Sequence, residues 1–153
     1  MRKTGVTGVF FAALGMARTG YFTSEEWGEF CKPYDMIALD PIKDLPNIVH
    51  TCGIYGNPQW FADYPCRVIH WAASAPGNPP MKGSSAWLGG KIAMGGCDER
   101  PFGEGNAELV DRLCRQALKD MKGTPFVMAP ECSVSPKVLD SELRAFRDSV
   151  EKY

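Results

Sequence analysis

Short apolar runs alternating with helical patterns leave this chain few folds to adopt. The runs are Val6 to Ala12, Ile48 to Thr51, Arg67 to Ala72, Lys91 to Gly95 and Pro125 to Ala129. The first is continuously apolar, as a strand covered on both faces requires. Parallel strands need a long connection, and the stretches between the runs are long enough to supply one. Strand–helix alternation of this kind predicts an α/β fold with a parallel sheet and right-handed crossovers. The 153 residues suit a single domain, residues 1–153, which buries about 68–70% of its unfolded surface.

The connections carry their own signals. Thr23-Ser24-Glu25-Glu26 is a capping box, with Thr23 as N-cap and Glu26 three residues on. A helix from Ser24 to Leu39 follows, which Pro33 kinks or splits. A short helical segment is expected over Pro58 to Asp63 and another over Ser84 to Leu88. Ser74 to Gly83 contains Pro76, Pro79 and Pro80 and reads as loop. Asn106 caps an amphipathic helix whose apolar face is Leu109, Val110, Leu113, Ala117, Leu118 and Met121, and Gly123 ends it. Ser135-Pro136 opens a last helical region with the stripe Leu139, Leu143, Phe146 and Val150.

The start of the chain has two readings. Met1-Arg2-Lys3 followed by the apolar stretch to Ala17 has the layout of a signal peptide. It equally reads as the end of a helix, a turn at Gly5 and a buried strand. Nothing else is apolar for long enough to span a bilayer. The net charge of -1 gives no electrostatic footprint for nucleic acid or an anionic membrane. The four tryptophans therefore read as packing residues rather than a base-stacking platform.

Chemistry-bearing residues fall at the C-terminal ends of the expected strands: His50 and Cys52, Trp71, Cys97 and Asp98, Glu131 and Cys132. Barrels and open α/β sheets place their sites at that end. His50 and Cys52 are two apart on one strand and so share a face. Gly53 lets the backbone turn away directly behind them. Zinc takes thiolate and imidazole at about 2.0–2.3 Å in tetrahedral geometry, and catalytic sites leave one position open. Cys132, on the fifth strand, is the candidate third ligand. The plainer alternative is two small buried cysteines and a core histidine. His70 and Trp71 read as core or pocket lining. Six cysteines in all could form three disulfides. Their placement at strand ends and in a helix suits a reduced, cytoplasmic metal or thiol protein better.

Several segments resemble the uroporphyrinogen decarboxylase superfamily. They are Thr7-Gly8-Val9-Phe10-Phe11, Phe22 to Phe30, and Pro33-Tyr34-Asp35. Val49-His50-Thr51-Cys52-Gly53, with Glu131-Cys132, is similar to its zinc-dependent branch, the methylcobamide:coenzyme M methyltransferases. The resemblance runs from about Gly5 to the end. It implies a TIM-type (β/α) barrel in which Zn2+ on His50, Cys52 and Cys132 activates a small-molecule thiol. That thiol then accepts a methyl group from a methylated corrinoid, free or on a partner protein. Asp98 is implied as a cofactor or substrate contact. A decarboxylase acting on a tetrapyrrole is the remote alternative, since its arginine and aspartate motifs find no match here.

The match covers the later part of such a barrel, about five strands, with three N-terminal strands missing. A partial barrel exposes two sheet edges and an apolar inner face. The expectation is a truncated family member that self-associates or is covered by a partner chain. A non-catalytic zinc-binding or structural remnant of the fold is the alternative function.

Overall fold

The computed structural model describes residues 5–153. Five strands form one sheet in sequence order: β1 (Phe10–Leu14), β2 (Ile48–Thr51), β3 (Val68–Trp71), β4 (Ile92–Cys97) and β5 (Phe126–Pro130). Every neighbouring pair is parallel. The helices are α1 (Ser24–Phe30), α2 (Lys32–Leu39), α3 (Ala107–Asp120) and α4 (Asp140–Lys152). This is the expected architecture of a partial TIM-type barrel. The anticipated helix end at Met1–Lys3 lies outside the described residues.

Local chemistry sets the element ends. Thr23 and Glu26 cap each other's backbone at the start of α1. The long helix expected from Ser24 to Leu39 is split at Cys31, and Pro33 sits in the first turn of α2, where its missing N–H costs nothing. Asn106 accepts the Leu109 amide to start α3, and Gly123 follows its end at φ 79°. Short 3₁₀ turns at Pro58–Phe61 and Ser84–Ala86 stand where helical segments were expected.

The last helix differs from its reading. Ser135 to Val138 is a turn, with the Val138 amide donating to Ser135 O, and α4 begins at Asp140. The Glu142 carboxylate accepts the amides of Gly103, Asn106 and Leu139. That bonding turns Glu142 and Ser149 inward and leaves Leu139, Leu143 and Val150 exposed. Of the expected apolar stripe only Phe146 packs inward, against Phe102 at 6.1 Å between ring centroids.

One sheet face is covered. Val49, Ile69 and Ala93 pack under Trp27, Leu39, Ile42 and Phe61. Tryptophans pair within this layer: Trp27 with Trp60 and Trp71 with Trp87, each at 5.2 Å between ring centroids. Buried Asn47 joins the lower ends of the strands by accepting from Val9 N and donating to the Ile42 carbonyl. The other, concave face is open. Phe10 and Leu14 remain 50% and 58% exposed there, so β1 is covered on one face only, against the reading of its apolar run.

Candidate metal centre

Register decides which strand residues meet. Ala12, His50, His70 and Met94 lie opposite one another across β1 to β4. His50 and His70 are thus neighbours on the concave face, with ring centroids 4.6 Å apart. Phe10 covers both rings at 5.5 and 5.8 Å. Cys52 stands one residue beyond the end of β2, and Gly53 turns the chain at φ 74° behind it.

Cys132 reaches the same point from β5. Its sulfur is 3.6 Å from that of Cys52. One ligand atom from each of His50, Cys52 and Cys132 lies within 4.8 Å of the others. All three residues named as ligands from sequence therefore converge. A cavity of about 310 Å³ opens over them, walled by Phe10, Ala12, Leu14, His70 and Ser133.

The convergence needs an explanation, because β3 and β4 lie between β2 and β5. Strands sit about 4.8 Å apart, so three steps along a flat sheet would separate the sulfurs by more than a nanometre. Three features curl the end of β5 inward over β4. His70 Nε2 is 2.8 Å from the Pro130 carbonyl oxygen, a bond from β3 to the end of β5. The amide and hydroxyl of Ser74, beyond β3, both donate to the Glu131 carboxylate. Between them Gly95 adopts φ +135°, and a Cβ there would stand 2.9 Å from the Trp71 carbonyl oxygen. An ordinary residue is excluded both by conformation and by that contact.

The electrostatics suit a soft cation. Burial, with His70 beside it, lowers the His50 pKa to about 4, so the imidazole is neutral at physiological pH. Its Nδ1 is buried without a hydrogen-bond partner among the described residues. The Cys52 thiol is pushed up to about 11 by burial and then by the Cys132 sulfur, while Arg18 works in the opposite sense. One ring nitrogen of His50 and two thiols thus lie within 4.8 Å of one another, and a cation would draw the thiol protons off. Neutral imidazole with two sulfurs is a zinc-type donor set. Glu131 is buried and its carboxyl is raised by desolvation, which its bonds to Ser74 partly offset.

Asp98 lies elsewhere. It is gripped by Arg100 Nε and Nη2, which holds its carboxyl below the usual range. It does not line the cavity over the cluster. Cys97 turns to the opposite face, where its sulfur meets Cys114 at 3.5 Å. All six cysteines are unbridged.

No protein-family model matches the sequence, and no curated protein matches it. A solved structure does: a methyltransferase from Methanosarcina mazei, with a TM-score of 0.77 at 15% identity. The likeness is one of fold. It covers 99% of this chain and 43% of the other, so the chain spans less than half the length of that methyltransferase. No described helix is long and apolar enough to cross a membrane.

Proposed function

We propose that this chain binds Zn2+ through His50, Cys52 and Cys132 and activates a small thiol for methyl transfer from a methylated corrinoid. The observation that carries the reading is the approach of the three ligand atoms to within 4.8 Å at the mouth of the cavity. The methyltransferase fold supports it. Zinc in such a site supplies Lewis acidity, lowering the pKa of a thiol placed in its open position.

The chain's own residues do the rest. His50 needs no deprotonation to act as a ligand at neutral pH, since burial already keeps it neutral. Phe10 and Leu14 give the cavity an apolar wall beside the sulfurs. In this reading Asp98, fixed by Arg100, is an outer substrate contact and not a ligand. Six unbridged thiols favour a reducing compartment, the cytoplasm. The exposed concave face and the free edges of β1 and β5 favour a covering partner, a second copy or another chain, with the corrinoid delivered free or on its own protein.

Two measurements test this. Purified protein should carry about one equivalent of zinc, lost in His50→Ala, Cys52→Ala and Cys132→Ala. It should then methylate small thiols from methylcobalamin. Zinc without methyl transfer would leave the second reading, a zinc-binding remnant of the fold, and no zinc in freshly purified protein would remove both.

A further inference from the structure

We propose that His70 is the positioning residue of the cluster: it holds the Pro130 carbonyl and thereby sets where Cys132 stands relative to His50 and Cys52. A carbonyl oxygen only accepts, so the 2.8 Å contact places the hydrogen on Nε2. Nδ1 is then a bare lone pair, and it is buried with no hydrogen-bond partner among the described residues. An unpaired buried nitrogen is costly. A phenylalanine of similar size would avoid that cost, so the bond to Pro130 is what the imidazole supplies that an apolar ring could not. The same ring lies against His50 at 4.6 Å and 34°. One side chain from the intervening strand β3 therefore touches both arms of the cluster: the His50 ligand itself, and the backbone two residues before the Cys132 ligand. Among the described residues, the Cys132 side chain makes its hydrogen-bonding contact with the Cys52 sulfur.

The inference rests on the zinc reading for one of its two readouts and is independent of it for the other. The metal-free readout is the equilibrium of the Cys52–Cys132 disulfide in a glutathione buffer, followed by peptide mapping. Its formation passes two electrons to glutathione disulfide, which leaves as two thiols. His70→Phe should weaken that equilibrium by about three- to tenfold, the worth of one hydrogen bond. The metal readout is cobalt(II) titration. His70→Phe should lose about 10–100-fold in affinity while keeping its thiolate-to-cobalt charge-transfer band, because no ligand is removed. His70→Gln, which keeps an N–H donor, should recover part of both effects. A folded His70→Phe protein unchanged in both readouts overturns the proposal and leaves the metal site standing. Wild-type protein that binds no cobalt, with the disulfide still weakened in His70→Phe, overturns the metal site and leaves the positioning role standing. Should neither variant fold, ring-nitrogen NMR of the wild type decides: hydrogen on Nε2 supports the role, and hydrogen on Nδ1 overturns it.

Discussion

Two pairs of sulfurs sit at nearly the same separation, Cys52–Cys132 at 3.6 Å and Cys97–Cys114 at 3.5 Å, in opposite surroundings. The first pair is half-buried at the mouth of the concave face, with a neutral imidazole beside it. The second is fully buried between β4 and α3, against Phe102 and Val110. The Cys114 sulfur, and then burial, drive the Cys97 thiol far above its ordinary range. Proximity of two sulfurs is therefore not what makes a metal site. A third donor within reach is needed as well, and among the described residues the first pair has one in His50. The second pair behaves as two small apolar side chains.

The contrast can be broken most directly with metal. Replacing His50, Cys52 or Cys132 by alanine should take zinc from about one equivalent to near none by elemental analysis. Cys114→Ala should leave the stoichiometry unchanged, and zinc lost from that variant would put the site at the wrong pair. Next in size is reactivity. Maleimide should label Cys52 and Cys132 in the native metal-free protein, and Cys97 and Cys114 only through opening, slower by about 10³-fold or more. Equal rates for all four would erase the distinction.

Stability sharpens the comparison from the other side. Phe102→Ala should cost about 3–5 kcal/mol in denaturant unfolding, since it empties the apolar cluster around the buried pair. Bound zinc at the other pair should be retained below the transition. The smallest effect is acid sensitivity at Glu142. Its three backbone bonds hold its pKa below the usual carboxylate value. Its contribution is therefore complete above about pH 4.5 and is lost as pH falls through the lower native value. The melting temperature of Glu142→Gln should fall less steeply between about pH 5 and 3 than that of the wild type. An unchanged slope would mean that the carboxylate is not what fixes the Gly103–Asn106 loop.

The strands were legible because apolar runs punctuated by Gly and Pro have few other uses, though β1 and β4 end two residues later than their patterns suggested. That three of the four stripe residues at α4 face outward, with Phe146 alone packed inward, was not legible. Leu139, Leu143 and Val150 look like a core face, and only the buried bonds of Glu142 reveal the true orientation. The three converging side chains could be read because His50 and Cys52 obey a strand's two-residue period and Cys132 follows the end of another strand. What brings them together could not. The His70–Pro130 bond, the Ser74–Glu131 bonds and the space beside Gly95 all join residues far apart in sequence, and a lone histidine or glycine carries no local mark of that task.

Gly95 turns this into a statement about tolerance. A residue at φ +135° whose Cβ would stand 2.9 Å from a carbonyl oxygen has almost no permitted replacement. A saturation survey of the cluster should thus find a strict requirement at a residue with no side chain, one that could donate nothing to a cation. The fixed coordinate of the cluster lies in the main chain beneath it, and the three converging side chains are free to be exchanged only as far as that hinge allows.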